Sequence, residues 1–199
     1  MIKAIIFDIG EVLVGKVRKP LLDELIKKYK LNEEDFKKFE TAIFEKVLLG
    51  QMKEEEYYLH LITKFNLPIS VLELQKKAIA LTKPIKETWK IVENLKGKYI
   101  LAILSDMGEQ SAKIREDKFK ISKTFNYVIY SFSVGVRKPN PRIYQHLLKL
   151  IKIPANECLF IEDKQKNIDE AKRQGMKTIL FKNAKQLKKE LVSYKIGVI

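Results

Sequence analysis

Five short apolar runs, separated from residue 84 onward by helical patterns, constrain the fold of this sequence more than any other feature. The runs are rich in β-branched and aromatic residues, which favour strands, and they lie at residues 3–7, 99–104, 127–130, 158–161 and 178–181. The predicted helices between and after them span 84–97, about 108–117, 141–151, 167–174 and a lysine-rich segment from 184. Because parallel strands need long crossover connections, this alternation predicts an α/β protein with a parallel sheet and helices on both faces.

Between the first and second strands, four helical segments follow one another without a strand. Apolar residues repeat at helical spacing from Pro20 to Leu81, Asn32 is a suitable N-cap for the second segment, and Gly50 ends it. This pattern predicts a helical bundle inserted into the α/β core. We assign residues 1–15 and 83–199 to the core domain and residues 16–82 to the inserted bundle, which we name the cap.

The cysteine content and the length of the apolar runs exclude several classes of protein. Cys158 is the only cysteine, so an intramolecular disulfide and a thiolate zinc cluster are excluded. Apolar stretches such as 99–104 are far shorter than a membrane span. The segment Met1-Ile-Lys3 leads directly into the first strand without the layout of a signal peptide. We therefore expect a soluble, cytoplasmic protein without a membrane partner; the oligomeric state stays open.

The net charge of +14 raises the question of nucleic-acid binding. Lysine supplies 34 of the 39 basic residues, whereas arginine, the better reader of phosphates and base edges, supplies five. Enrichment in lysine and isoleucine more often reflects genome composition or a hot habitat than a ligand. The composition therefore argues against a nucleic-acid partner, although binding through the basic C-terminal third is kept as an alternative. The same positive field attracts small anionic substrates.

Polar residues follow four of the predicted strands at their carboxyl ends, where open parallel sheets bind ligands. They are Asp8 after the first strand, Ser105 and Asp106 after the second, Arg137 and Lys138 after the third, and Glu162 and Asp163 after the fourth. Carboxylate oxygens suit Mg²⁺, which also binds phosphate oxygens. A lysine and a hydroxyl beside them suit a phosphoryl group, because its transfer depends chiefly on positioning and charge neutralisation.

These segments resemble the four motifs of the haloacid dehalogenase-like (HAD) hydrolase superfamily, from residue 3 to about 182. Residues 7–13 (FDIGEVL) resemble motif one, Leu104-Ser-Asp106 motif two, residues 135–144 (GVRKPNPRIY) motif three, and residues 160–163 (FIED) with Asn167 motif four. The family has a Rossmann-like core, and the insertion after motif one is where its small cap domain sits. Residues 50–57 (GQMKEEEY) also resemble a cap segment of the subgroup that includes the epoxide hydrolase N-terminal phosphatase and glucose-1-phosphate phosphatases.

The resemblance implies a Mg²⁺-dependent phosphohydrolase of a small phosphorylated metabolite, sugar phosphates included. Asp8 would be the nucleophile that forms an aspartyl phosphate. Asp8, the main-chain carbonyl of Gly10 and Asp163 would hold the metal, and Ser105, Asp106 and Lys138 would bind the phosphoryl group. Around these groups, Glu162, Asn167 and Glu11 would form a supporting layer, with Glu162 acting on the metal through waters or on Lys138 through an ion pair.

The sequence departs from the family pattern at Gly10, where phosphatases usually carry an aspartate as general acid and base. Loss of such a group typically costs about 10²–10⁴ in rate. Glu11 is a candidate substitute, although we expect its side chain to point to the cap hinge or to solvent. Glycine at this position also argues against dehalogenase chemistry, because dehalogenases carry an aromatic residue there. No cap lysine is marked out for the Schiff base that phosphonatases form.

Two further departures change the length of one site residue and the charge of another. Glu162, with its longer side chain, replaces the commoner aspartate. Asp106 stands where asparagine is common, and its negative charge would weaken phosphate binding modestly. A non-catalytic protein that keeps the fold as a phosphate- or partner-binding module is therefore the second hypothesis, motivated by Gly10. The intact set of Asp8, Ser105, Lys138 and Asp163 argues against it.

Overall fold

The centre of the molecule is a five-stranded parallel sheet with strand order β3-β2-β1-β4-β5. The computed structural model describes residues 1–197; residues 198 and 199, the end of the predicted core segment, lie outside the described residues. The strands are β1 (Ala4–Phe7), β2 (Ile100–Ser105), β3 (Tyr127–Tyr130), β4 (Cys158–Glu162) and β5 (Lys177–Leu180). All five predicted strands are confirmed, and their ends differ from the predicted ends by at most one residue.

Helices connect the strands and carry the insertion. The cap contains α1 (Arg18–Tyr29), α2 (Glu33–Leu48), α3 (Glu54–Phe65) and α4 (Val71–Leu81). The core contains α5 (Lys86–Leu95), α6 (Glu109–Phe119), α7 (Ile121–Thr124), α8 (Ser131–Val134), α9 (Pro141–Ile151), α10 (Gln165–Arg173) and α11 (Ala184–Ser193). The one-turn helices α7 and α8 were not predicted, because a single turn is too short to show helical periodicity.

Both faces of the sheet are buried, as expected for parallel strands. In β1, Ile5 and Phe7 pack in one apolar cluster with α5 and α11, whereas Ala4 and Ile6 pack in a second cluster with α9 and α10. This alternation leaves the strand ends as the place where polar groups can gather. Phe7 lies opposite Ile103 of β2 and Ile161 of β4, so the residues that follow these positions reach the same edge of the sheet.

The cap has an apolar core of its own, which includes Leu25, Phe36, Leu61 and Leu74. Two segments connect it to the sheet domain and lie side by side: Gly15 N donates to Lys83 O at 3.0 Å and Ile85 N to Leu13 O at 2.8 Å. We propose that the domain boundaries lie at these segments. In the described part of the chain, no helix is long and apolar enough to cross a membrane.

The cap core predicts different effects for two leucines of α3. Leu61 is fully buried, whereas Leu59 is 55% exposed. We expect Leu61→Ala to lower the free energy of unfolding by about 2–5 kcal/mol, because it removes buried methyl groups and leaves a cavity. The control Leu59→Ala should change it by less than about 0.5 kcal/mol. Urea denaturation measures both values, and equal losses would contradict the assignment of a separate cap core.

Candidate active site

Four strand ends bring the predicted site residues together. Asp8 follows β1, and its N–H donates to Ile161 O at 3.0 Å, which fixes it beside β4. Ser105 and Glu162 are the last residues of β2 and β4. Lys138 arrives from the loop between α8 and α9. Asp8, Ser105, Lys138 and Glu162 are all at most 3% exposed, so the groups meet in a site closed to bulk water.

The ammonium group of Lys138 lies at the centre of the cluster. Its Nζ donates to Glu162 Oε2 at 2.6 Å and to the carbonyl oxygen of Leu104 at 2.9 Å, and it lies 3.0 Å from Asp8 Oδ1. Burial opposes the charge, but the carboxylates of Asp8 and Glu162 outweigh it and raise the pKa of Lys138. A buried charge of this kind is tolerated only when it is paired and hydrogen-bonded.

Both carboxylate oxygens of Glu162 accept two hydrogen bonds each from protein groups. Its Oε2 accepts from Lys138 and from Asn167 Nδ2 at 2.9 Å, and its Oε1 accepts from the main-chain N–H groups of Asp163 and Lys164, both at 3.1 Å. Although burial opposes ionisation, the Lys138 ammonium and these hydrogen bonds lower the pKa of Glu162 to about 2. Glu162 is therefore the fixed counter-ion of Lys138.

Asp8 and Asp163, in contrast, are not fully bonded within the protein. Within residues 1–197, the buried atom Asp163 Oδ1 has no hydrogen-bond partner, and Asp8 Oδ1 has only the ion pair with Lys138 Nζ, 3.0 Å away. Burial raises the pKa of Asp8, an effect that Lys138 and the Ser105 hydroxyl partly offset. Burial and the neighbouring Glu162 raise the pKa of Asp163 to about 7. Asp8 is thus compensated only in part, by Lys138 and Ser105, and within the described chain Asp163 lacks a compensating cation of this kind.

A divalent cation would supply the positive charge that these buried carboxyl groups need. Asp8, Glu162 and Asp163 each offer an oxygen, and the three oxygens lie within 4.8 Å of one another. Because Glu162 is already bonded to Lys138, Asn167 and two amides, Asp8 and Asp163 are the side chains with oxygens left for a metal. A hard oxygen donor set that leaves room for water suits Mg²⁺. Packing does not require glycine at position 10, since a Cβ there would lie 3.8 Å from Asp8 Oδ2.

The structure places Asp106 beside the lysine loop. Its Oδ1 accepts from the main-chain N–H of Lys138 at 3.0 Å, and its Oδ2 lies 3.7 Å from Arg137 Nε. Burial raises its pKa to about 6, against the opposing effect of Lys138.

Glu11 does not join the cluster. Its backbone is left-handed, with φ of 59°, and its exposed side chain lies 3.3 Å from Lys16 Nζ, at the start of the cap. Glu11 is therefore turned toward the segment that leads into the cap.

Two charged groups where the cap meets the core were not predicted. Glu54 of α3 is buried, and its two carboxylate oxygens each lie 3.0 Å from the main-chain N–H of Ser111, at the positive end of α6. Burial raises the pKa of Glu54, an effect that this hydrogen bonding and the nearby Arg115 partly offset. Gly108 makes the contact possible, because a Cβ there would lie 2.8 Å from the Glu54 carboxyl carbon.

Arg115 is the second of these groups. It lies on α6, is 9% exposed, and interacts electrostatically with Glu54 and Asp8. Its presence among only five arginines in a lysine-rich chain was an available signal, because arginine is favoured for buried ion pairs.

A cavity of about 570 Å³ opens between cap and core next to Glu54. Its walls are the α2–α3 connection, the start of α3, part of α6 and Phe132. Asp8, Ser105 and Lys138 are not among its lining residues, so the carboxylate cluster itself is covered in this structure.

Comparison with known proteins confirms the family. The family model for haloacid dehalogenase-like hydrolases matches residues 5–181, and the chain therefore belongs to this hydrolase family. It is similar in fold to a HAD family enzyme of Bacteroides thetaiotaomicron, with a TM-score of 0.84 and 20% identity over 96% of this chain and 98% of that one. Another structure of that enzyme, a complex with magnesium and inorganic phosphate, has a TM-score of 0.80 and 21% identity over 92% of this chain and 96% of that one.

Two curated proteins are also similar in sequence. A glyceraldehyde 3-phosphate phosphatase of Pyrococcus abyssi is 28% identical over 205 residues, which cover 93% of this chain and 83% of that protein. Bifunctional epoxide hydrolase 2 of Mus musculus is 35% identical over 86 residues, 43% of this chain. That match covers only 16% of the epoxide hydrolase.

Because Lys138 pairs with both Asp8 and Glu162, we predict that Lys138→Met destabilises the fold. The variant leaves Asp8 and Glu162 buried without their cation, so we expect the free energy of unfolding to fall by about 3–5 kcal/mol. Lys19→Met is the matched control, because Lys19 is exposed and pairs with Asp23 on the surface of α1; its effect should stay below about 1 kcal/mol. Denaturation at neutral pH without added metal measures both, and a Lys138→Met protein as stable as the parent would refute the role given to this lysine.

Proposed function

We propose that the protein is a Mg²⁺-dependent phosphohydrolase that acts on a small phosphorylated metabolite through an aspartyl-phosphate intermediate. The observation that carries the proposal is the buried Asp8 carboxyl group, whose Oδ1 is paired with Lys138 Nζ at 3.0 Å, together with the neighbouring Asp163, whose buried Oδ1 has no hydrogen-bond partner within residues 1–197. A carboxylate next to a fixed ammonium group, with a second free carboxylate beside it, is suited to attack a phosphoryl group and to share its charge.

Each residue of the site has a separate role in the proposed reaction. The Asp8 carboxylate attacks phosphorus, so that a new O–P bond forms while the bond to the leaving oxygen breaks. Lys138 stabilises the ionised form of Asp8 and offsets charge on the phosphoryl oxygens. Ser105 binds one of these oxygens, and Glu162 with Asn167 holds Lys138 in position. Water then hydrolyses the aspartyl phosphate and regenerates Asp8.

Asp8, Asp163 and the main-chain carbonyl of Gly10 would hold the metal. A bound Mg²⁺ supplies positive charge that neutralises the phosphoryl oxygens and orients them. This role agrees with the buried Asp163 oxygen that has no hydrogen bond within residues 1–197 and with the incomplete compensation of Asp8.

Similar proteins support a small phosphate ester as the substrate. Besides the glyceraldehyde 3-phosphate phosphatase, a phosphoglycolate phosphatase of Aquifex aeolicus is 29% identical over 140 residues, 70% of this chain and 61% of that protein. The net charge of +14 favours anionic substrates of this kind. Sugar phosphates are therefore the first metabolites to test as natural substrates. A cytoplasmic location is also part of the proposal.

Hydrolysis of 4-nitrophenyl phosphate and acetyl phosphate tests the proposal. We expect turnover with Mg²⁺, loss of turnover with EDTA, and a loss of at least about 10³-fold in Asp8→Asn, which keeps the shape of the nucleophile but removes its charge. Asp117→Asn, a surface change on α6, is the matched control and should retain activity.

Two outcomes would contradict the proposal. Turnover that persists in Asp8→Asn or in EDTA would exclude the stated mechanism. A folded protein that hydrolyses neither ester would favour the alternative of a non-catalytic phosphate- or partner-binding protein.

A further inference from the structure

We propose that Asp106 performs the proton transfers for which Gly10 has no side chain: it protonates the leaving oxygen and then accepts a proton from the attacking water. This inference rests on the proposed phosphohydrolase function and assigns it a further catalytic residue.

The site needs such a group because an alkoxide leaving group departs poorly without a proton. Gly10 has no side chain, and Glu11 is exposed beside Lys16 at the start of the cap. Asp8 is the nucleophile, and Glu162 is fully bonded to Lys138, Asn167 and two amides. Asp163 is assigned to the metal. Among the carboxyl groups that the structure gathers at this edge of the sheet, Asp106 is the one that is neither the nucleophile, nor the counter-ion of Lys138, nor a metal ligand.

Asp106 lies in a turn that packs against the cap, since a Cβ at Gly108 of this turn would lie 2.6 Å from Val47 Cγ1. It directly follows Ser105 and begins the turn from β2 to α6. Arg137 is 3.7 Å from Asp106 Oδ2 and also forms an ion pair with Glu45 of α2, so it links Asp106 to the cap. In an in-line displacement the leaving oxygen lies opposite the attacking oxygen. With Asp8 attacking from the sheet, the leaving group points toward the cap, where Asp106 lies.

The Asp106 carboxyl group has one oxygen fixed and the other available. Oδ1 accepts from the Lys138 N–H, whereas Oδ2 makes no hydrogen bond to any of residues 1–197 and the side chain is 17% exposed. The charged groups that act on it are Lys138, Arg137, Asp8 and Glu162. Burial, with Asp8 and Glu162, raises its pKa to about 6, which lies in the range where a carboxyl group both gives and takes a proton near neutral pH.

Bonds and protons balance in the two steps, which are the formation and the hydrolysis of the aspartyl phosphate. In the first, Asp8 forms its bond to phosphorus, the ester P–O bond breaks, and the proton of the Asp106 carboxyl group goes to the departing oxygen, giving an alcohol. In the second, the Asp106 carboxylate takes a proton from water as the water oxygen attacks phosphorus. The bond between Asp8 and phosphorus breaks, inorganic phosphate leaves, and Asp106 is again protonated.

The test compares Asp106→Asn with the parent on a series of substituted phenyl phosphates, from 4-nitrophenyl to unsubstituted phenyl. Asparagine keeps the acceptor for the Lys138 N–H but cannot transfer a proton. We expect kcat/KM, which reports leaving-group departure, to fall about 10²–10⁴-fold for phenyl phosphate. The loss for 4-nitrophenyl phosphate, whose leaving group needs no proton, should be at least tenfold smaller. Asp117→Asn should show no such dependence.

A rescue variant separates a proton-transfer role from a structural one. Space for a side chain at position 10 is available, because a Cβ there would lie 3.8 Å from Asp8 Oδ2. We expect Gly10→Asp combined with Asp106→Asn to recover turnover of phenyl phosphate, since it returns a carboxyl group to the site. A structural defect caused by Asp106→Asn would not be repaired by this change.

Three results would overturn the assignment. They are an equal loss for all leaving groups in Asp106→Asn, no loss at all, or a leaving-group-dependent loss in Glu11→Gln instead. Failure of the parent protein to hydrolyse any of these esters would refute the phosphohydrolase proposal itself. This failure is distinguishable from failure of the Asp106 assignment, because it is seen in the parent protein before any variant is compared.

Discussion

The buried ammonium group of Lys138 organises the whole edge of the sheet. It lies 2.6 Å from Glu162 Oε2 and 3.0 Å from Asp8 Oδ1, and it bonds to the carbonyl of Leu104, so three strands converge on one charge. Such a charge is stable inside a protein only with compensation from its neighbours. The parallel register of β1, β2 and β4 brings the compensating groups to Lys138, because the three strands end at the same edge of the sheet.

The site nevertheless has more negative than positive charge. Lys138 pairs with both Asp8 and Glu162, and Asp163 has a buried oxygen without a hydrogen bond within the described chain. A site with this imbalance attracts a cation to the carboxylates, and the cation in turn favours an anionic substrate. The arrangement of the side chains thus accounts for both requirements of the proposed reaction, a metal and a phosphoryl group.

Much of this arrangement was predictable because it depends on local signals. The β-branched runs identified each strand, and the polar residues after Phe7, Leu104 and Ile161 identified the edge. The contact between Glu54 and α6 was not predictable, because it joins residues 57 positions apart through the packing of two domains. The exposed position of Glu11 at the start of the cap agrees with the direction expected for its side chain, whereas its left-handed backbone was not predictable, because that conformation is uncommon for a glutamate. The free oxygen of Asp106 likewise depends on the position of a loop from a different strand.

A crystal structure of the protein with Mg²⁺ and inorganic phosphate would test the central claim most directly. We predict a metal ion bound by Asp8 and Asp163, a phosphate oxygen against Ser105 and Lys138, and Glu162 still paired with Lys138. A metal held by Glu162 in place of the lysine, or phosphate bound away from Asp8, would contradict the account.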